Sequence, residues 1–447
     1  MAVKKNIILN GIGQIGNKVV RILEQLLLVP FFLSIWGPEY YGEWLTISII
    51  PGVLAFSDLG FGTAISNAFV LTYTKGDKKN ASNIYITGLI FNTLTVILGV
   101  ALSVVVIFLG GKLDVLEKSL ISPSDIMLSL AFLMASRLMA FYMQLFEGFF
   151  RAKSKAATAF NLYTVEGLLR IGVGILTLLL GCDIVGYSFW QFVLALVCNL
   201  LFALWARLLV RDLPRGHFDK DVGMITLKKG LGFMLTPVWQ SIYLQGSTFV
   251  VRIVLGPAAV AVFNTVRTVC KSINAAFSII YGAIFPELQI AYGKGNKDLV
   301  IRIYVFAVQS VTIISSLGFV FLIIFGPSIY AWWTHNELTV DSYVWYIFMI
   351  GIPLNALWFT AGSVFRAINK PTRFAIYGFI SSLISTFISF ILSYPLGLTG
   401  AAIGFVAMDF IMLSLTLPLA NKEIDVHSKD LLDLKPTIAQ FKQLLHK

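Results

Sequence analysis

Asn10, Gln14, Asn17, Arg21 and Glu24 recur at intervals of four, three, four and three residues. That spacing places them on one face of a helix whose remaining surface is apolar. Lys18 and Gln25 flank the stripe. Arg21 lies 14 residues beyond Ile7, about 21 Å along a helix, too far for its side chain to reach back to water. A second stripe holds Asn264, Arg267, Lys271, Asn274, Ser278 and Tyr281. Arg267 and Lys271 stand one turn apart with no acid on that face. Ionised groups in hydrocarbon are costly unless a watery cavity, an opposite charge or a ligand relieves them. Cations and amides on one face suit recognition of an anion such as a phosphate.

Weaker sets accompany these two. Arg137, Gln144 and Glu147 share a helix face, and Glu166 and Arg170 form an i,i+4 pair with Tyr163 and Thr177 on the same side. Asn17, Lys18, Arg21, Arg137, Arg170, Asn264, Arg267, Lys271 and Asn274 are therefore the candidate ligands for an anionic substrate. Glu24, Asp58 and Glu166 are the candidates for a coupling ion, H+ or Na+. Each set has a structural alternative. Arg21 could pair with Glu24, Glu166 with Arg170 along the helix, and Arg267 and Lys271 with Asp58, Glu166 or Asp409.

The elements that carry these residues follow from composition. Of 447 residues, 57% are hydrophobic and 13% charged, with a mean hydropathy of +0.82. A soluble domain carries about 25% charged residues, so the solvent is lipid. A helix needs about 20 apolar residues to cross the hydrocarbon. Twelve such stretches are expected, near 7–35, 42–72, 82–110, 124–150, 157–180, 184–208, 230–254, 257–290, 299–326, 340–366, 372–394 and 399–420. The N-terminal lysines resemble a signal peptide, but the apolar run behind them is short and broken by polar residues, so it reads as the first helix.

The net charge of +11 is not a nucleic-acid patch, because the basic residues sit in short groups between apolar runs. With the N-terminus inside, 25 Lys and Arg fall in inner segments and 3 in outer ones. This bias predicts cytoplasmic termini. Cys182, Cys198 and Cys270 have no metal-like spacing, and no G-x-x-x-x-G-K-[ST] loop is present. No metal, cofactor or ATP chemistry is expected, and the chain does not read as an enzyme. The outer loops 36–44 and 330–338 are rich in Trp and Tyr, which favour the headgroup level. Leu431, Leu434, Ile438, Phe441 and Leu445 recur at helical spacing, so the tail reads as an amphipathic helix or a frayed end.

The phrase "YTKGDKK" at 73–79 returns as "YGKGNKD" at 292–298, an offset of 219. At the same offset Gly37-Pro38 meets Gly256-Pro257, Thr46 meets Thr265, and Gly11 and Gly13 meet Gly230 and Gly232. Further on, "FRAKSK" at 150–155 meets "FRAINK" at 365–370. The expected fold is an all-α polytopic membrane protein, twelve transmembrane helices in two six-helix bundles related by a pseudo-twofold along the membrane normal. The bundles are 1–210 and 230–420, with a cytoplasmic linker at 211–229 and a tail at 421–447. A cleft between parallel repeats suits alternating access.

Gly37, Glu39, Tyr41, Gly42 and Trp44, followed by Asp58, Leu59, Gly60 and Gly62, resemble the opening of bacterial polysaccharide flippases. "FRAKSK", "FRAINKPTR" and "YPLGLTGAAIGFV" fit the same family, over about residues 5–420. The resemblance implies the multidrug/oligosaccharidyl-lipid/polysaccharide exporter fold and an O-antigen or capsule (Wzx-like) flippase of the bacterial inner membrane. Its substrate would be an undecaprenyl-pyrophosphate-linked oligosaccharide. The protein would act as a monomer in lipid, alongside the polysaccharide polymerase machinery. Twelve spans match that branch rather than the fourteen of peptidoglycan-precursor flippases. A cation-coupled drug exporter of the same fold is the first alternative. A membrane glycosyltransferase or polymerase, with Asp114, Glu117 and Asp125 as its acids, is the second.

The charge bias generates a topology test. Cysteines at Lys78, Lys153, Gly216 and Lys297 are expected to be shielded from an impermeant thiol reagent in intact cells, and cysteines at Glu39 and Asn336 to react. Labelling at Gly216 would overturn the six-plus-six arrangement.

Overall fold

Hydrocarbon offers no partner for backbone N–H and C=O groups, so a chain this apolar closes its hydrogen bonds within helices. The structure, a computed structural model, describes the backbone of residues 2–56, 61–110, 119–293, 295–367 and 371–432, and no strand occurs among them. The helices are α1 (Ala2–Ile49), α2 (Phe61–Thr74), α3 (Lys78–Gly110), α4 (Pro123–Ala152), α5 (Ala156–Leu179), α6 (Ile184–Leu209), α7 (Lys220–Ser241) and α8 (Ser247–Leu255). They continue with α9 (Pro257–Gly293), α10 (Lys297–Ile324), α11 (Gly326–Trp333), α12 (Ser342–Ala361), α13 (Ser363–Ala367), α14 (Pro371–Glu423) and α15 (Ser428–Leu432). A 3-10 segment, Ile50–Phe56, follows α1, and a π-helical turn, Ile242–Gly246, joins α7 to α8.

Among the described residues, eight continuous helices are long and apolar enough to cross a membrane. One of them, α14, must cross twice, and α1 begins a second crossing after its break. The 53 residues of α14 would run about 80 Å as one rod, against a hydrocarbon core of about 30 Å. They break at Gly397, with φ 58° and ψ −137°. Helix α1 breaks likewise at Gly37, and its second arm, the 3-10 segment and α2 account for the second expected crossing, with residues 57–60 outside the described ones. The seventh crossing is made of α7, the π turn and α8. With these joins the helices supply the twelve expected crossings of an all-α membrane fold.

The internal repeat is visible in local geometry. Gly37 has φ 73° and ψ 169°, and Gly256 has φ 90° and ψ 179°. Each precedes a proline that opens the next helix, where a missing N–H is harmless. In the repeated polar phrase, Gly76 N donates to Tyr73 O at 3.0 Å and Gly295 N to Tyr292 O at 3.0 Å. Asp77 Oδ1 accepts from Asn80 N at 3.1 Å, and Asn296 Oδ1 from Leu299 N at 3.1 Å. The two phrases make the same turn and the same N-cap.

The chain forms two compact units, Met1–Ser241 and Ile242–Lys447. Within the first, α7 packs on α2 and α3. The segment leading to it lies along the start of α3. Ser82 Oγ donates to Pro214 O at 2.6 Å, His217 N to Asn83 Oδ1 at 3.1 Å, and Asp219 N to Thr87 Oγ1 at 2.9 Å. Asp212 gathers the neighbouring loops, accepting from Tyr73 Oη at 2.8 Å and pairing with Lys78 at 2.9 Å and Lys153 at 3.4 Å. The Lys78 hydrogen bond, helped by Tyr73 and Lys153, holds its carboxyl below the usual carboxylate range. A depressed carboxylate contributes fully above its unfolded pKa of about 4, and the contribution is lost only as pH falls further. A Cβ on Gly216 would come 2.4 Å from Ser82 O, so the exposed Arg215 is the better reporter position for the topology test.

Within the second unit, Tyr304 Oη donates to Asn421 Oδ1 at 2.8 Å, and Gln309 Nε2 donates to the carbonyls of Asp430 and Leu431 at 2.9 and 3.3 Å. The chain after α14 is thus held against α10. Of the expected amphipathic tail stripe, only Leu431 falls among the described residues.

The paired glycines carry a prediction. No atom lies within 4 Å of a Cβ added at Gly37 or Gly256, so alanine there meets only backbone strain. Each substitution should cost about 1–3 kcal/mol, read as a lower thermal unfolding midpoint in detergent. An unchanged midpoint would mean that the bend relaxes freely.

Candidate charged sites inside the two units

Helices α1 and α5 approach closely because small residues line their contact. A Cβ on Gly167 would stand 2.7 Å from Val20 Cγ1, and one on Gly13 3.0 Å from Phe160 Cβ. This approach brings the α1 stripe against Glu166 and Arg170. Arg170 Nη2 donates to Glu166 Oε1 at 2.7 Å, and its Nε lies 3.9 Å from Glu24 Oε1. Arg21 is within electrostatic range of Glu24, and Arg137 of α4 within range of Arg170 and Arg21. Five of the residues singled out from sequence, Arg21, Glu24, Arg137, Glu166 and Arg170, therefore form one cluster. The intrahelical pair exists, but Glu24 shares its arginine. Asn17 and Lys18 sit one to two turns earlier on α1. The side chains of Asn10 and Gln14, and the whole of Asp58, lie outside the described residues.

Glu147 does not join Arg137. Its Oε2 accepts from Tyr163 Oη at 3.3 Å, and its Oε1 lies 3.8 Å from Arg151 Nε. Arg151 also donates to Asn67 Oδ1 at 3.0 Å and Ser66 Oγ at 2.6 Å. This network ties α4 to α2 and α5. Sequence spacing missed it because its members come from three helices, and only the 147/151 interval hinted at a pair.

In the second unit, the Leu244 carbonyl lies in the π turn and accepts from side chains. Arg267 Nη1 donates to it at 2.7 Å, and Nη2 donates to Asn264 Oδ1. The guanidinium carbon lies 5.6 and 5.8 Å from the rings of Phe263 and Phe405, within cation–π reach. Asn264 in turn donates to Val260 O at 3.0 Å and accepts from Thr248 Oγ1 at 3.3 Å. Arg267 is thus a buried, packed cation. One turn on, Lys271 is half-buried and has no hydrogen-bond or carboxylate partner among the described residues. Asn274 Oδ1, three residues further, is buried without a hydrogen-bond partner among the described residues. Ser278 and Tyr281 have side chains outside the described residues.

Asp409 is not the partner of Arg267. Its Oδ1 accepts from Asn355 Nδ2 and Trp358 Nε1, both at 2.8 Å, and its Oδ2 from Tyr243 Oη at 3.4 Å. Tyr243 stacks on Phe405, with centroids 4.4 Å apart. Three neutral donors satisfy this carboxylate, a node that sequence flagged only as a possible counter-charge. The serines at 382, 385, 389 and 393 are fully buried. Ser385 donates to Gly404 O at 2.8 Å and Ser389 to Ala401 O at 3.2 Å, which is close packing between the two arms of α14.

Among the described residues, no cluster of His, Cys, Asp or Glu suits a metal. The geometry separates the two cations of α9. Arg267→Ala would leave the Leu244 and Asn264 oxygens with only the Thr248 hydroxyl as a shared side-chain donor, costing about 1.5–3 kcal/mol for each charged hydrogen bond lost, and should lower the level of folded protein. Lys271→Ala should accumulate normally. Membrane level and thermal unfolding check both, and a stable Arg267→Ala protein would show its contacts to be dispensable.

The profile of the polysaccharide biosynthesis protein family (Polysacc_synt) matches residues 3–289. No curated protein sequence matches the chain. Among solved structures, the fold is similar to a multidrug resistance MATE family transporter of the MOP superfamily in its inward-facing conformation. That match has a TM-score of 0.76 and 17% identity, covering 93% of this chain and 98% of that one. It is similar to an outward-facing MATE family transporter at TM-score 0.64 and 19% identity, covering 94% and 96%. It is also similar to MATE in complex with MaL6 at TM-score 0.66 and 18% identity, covering 94% and 96%. At these identities the likeness is one of fold. The apolar crossings, the repeated turns and the profile match over most of the chain agree: this multi-pass membrane protein belongs to the polysaccharide biosynthesis protein family and has the fold of the MOP transporters.

Proposed function

We propose that this protein flips an undecaprenyl-pyrophosphate-linked oligosaccharide from the cytoplasmic to the periplasmic leaflet of the bacterial inner membrane. The mechanism is alternating access, coupled to an H+ or Na+ gradient. It is a transporter and not an enzyme, with both termini in the cytoplasm. The moving bodies are the sequence-related bundles 1–210 and 230–420, joined by the linker 211–229.

The observation that carries this reading is the excess of cations along apolar helices, where Arg21 and Arg137 are exposed and Arg170 and Lys271 partly so. Arg21, Arg137 and Arg170 face two carboxylates in the first unit, and Arg267 and Lys271 have no carboxylate within 4 Å among the described residues of the second. A pyrophosphate supplies opposite charge, and in a low-dielectric interior its attraction is far stronger than in water. Guanidinium groups grip it bidentately. Lys271, with Asn274 beside it, is the most available ligand of the second unit, whereas Arg267 sets the local packing. Glu24, Asp58 and Glu166 are the acids proposed for coupling, of which Glu24 and Glu166 fall among the described residues.

The second reading, export of cationic drugs on the same fold, draws on the named function of the similar MATE transporters. It needs an acid free to meet a cation. Glu24 and Glu166 instead share Arg170, which favours the anionic substrate. For a glycosyltransferase, Asp114 and Glu117 lie outside the described residues, and Asp125 stands in the first turn of α4.

Purified protein in liposomes is expected to move a fluorescent polyprenyl-pyrophosphate sugar between leaflets, faster with an imposed proton or sodium gradient. Lys271→Ala should slow the movement about tenfold or more, the scale of one lost charge-assisted hydrogen bond. Transport of a cationic dye with no movement of the lipid-linked sugar would select the drug-exporter reading.

A further inference from the structure

The repeated basic phrases lie outside the membrane-spanning segments, and the structure gives them acid partners of one kind. In the first unit, Lys78 of the 73–79 phrase and Lys153 of the 150–155 phrase both reach Asp212, at 2.9 and 3.4 Å. Tyr73 Oη donates to the same carboxylate at 2.8 Å. Asp212 stands just beyond Leu209, the end of α6 and of the sixth crossing. In the second unit, Lys297 of the 292–298 phrase lies 3.6 Å from Asp425 Oδ2. Arg373, just past the 365–370 phrase, lies 3.7 Å from Glu423 Oε1. Glu423 ends α14 and the twelfth crossing, and Asp425 follows closely. Each unit thus brings cations at the same two repeated loops against acids of the chain leaving its sixth or twelfth crossing.

The two closures differ in how far they rely on charge. Asp212 draws together two ammonium groups and a phenol. The pairs of the second unit are longer, and Lys297 and Asp425 are 83% and 73% exposed, a setting in which an ion pair contributes little. Neutral bonds supplement it. Tyr304 Oη donates to Asn421 Oδ1 at 2.8 Å, and Gln309 Nε2 donates to the Asp430 and Leu431 carbonyls at 2.9 and 3.3 Å. Ile424 and Val426 are buried. Asp425 has φ 58°, a left-handed conformation that aspartate tolerates better than most residues, and from this turn the chain doubles back. Segment 424–432 therefore runs along α10 from Lys297 toward Gln309, as a strap.

We infer that the repeated basic loops and the acids after the sixth and twelfth crossings form matching clasps that lock together the inner helix ends of each unit, and that the C-terminal segment 424–432 is a working part of the second clasp. The inference does not depend on the substrate reading above. It gives the lysines of these loops a role beyond orienting the chain in the membrane, since each one named here meets a specific acid. It also accounts for the repetition of both phrases. Two sequence-related sets of helices end at the same kind of exit, and each exit is closed by the same pair of loops.

The test is amide hydrogen exchange of the purified full-length chain in detergent, read by mass spectrometry. Asp212→Asn keeps the shape of the side chain and removes its charge. It should raise exchange in 73–81 and in 210–217 together by about tenfold, the scale of one hydrogen bond to a charged group. Gln309→Ala should raise exchange in 424–432 and in 295–304 together by about fivefold, the scale of one neutral hydrogen bond. Asp425→Lys should loosen the same two segments about twofold or more, and adding Lys297→Asp should reverse most of that rise. Should Gln309→Ala fail to accumulate, the Asp425→Lys variant and its charge-swapped partner carry the comparison for the second unit. A rise confined to the substituted segment, in either unit, would mean that these groups touch without closing the helix ends, and the inference falls. Unchanged exchange in the Asp212→Asn protein, or a charge swap that restores nothing, overturns it equally.

Discussion

Arg170 and Arg267 lie well inside apolar helices, where an unpartnered charge costs several kcal/mol and cannot be hydrated by lipid. Much of the interior is arranged around that constraint. Around Arg170 the partners are carboxylates on two helices, so α1 and α5 must pack closely enough for Glu24 and Glu166 to share it. Around Arg267 the partner is a backbone carbonyl. The π turn at Ile242–Gly246 supplies it, and Asn264, Thr248 and two aromatic rings complete the shell.

The same economy of partners shapes the ends of the helices. The chain turns where glycine admits a left-handed backbone, and the next helix starts on proline or on an Asx cap. Beyond the helices, polar side chains on α3 fix the segment before α7, and Gln309 on α10 fixes the segment after α14. These are backbone groups that would otherwise lack partners close to the membrane. Asp212 adds a titratable clasp at the 73–79, 151–155 and 210–219 loops, secure at neutral pH because its carboxyl is held ionised.

Sequence by itself determined the class of the molecule, because apolar length leaves a helix as the only spanning structure and twelve runs are countable. It determined the repeat as well, since identical turn chemistry at a fixed offset needs identical local residues: the Gly-Pro pairs and the Tyr-x-Lys-Gly phrases fold alike. It also found five members of the first-unit cluster, because 3.6-residue periodicity reports which residues share a helix face. Tertiary structure decided what that periodicity cannot carry, namely which face meets which. It joined Glu24 to Arg170 rather than Arg21, and Glu147 to Arg151 and Tyr163 rather than Arg137. It gave Asp409 three neutral donors in place of a cation, and it turned Arg267 from an open ligand into a packed one. Pairing between helices depends on small-residue contacts and on a single π turn, and neither leaves a period in the sequence.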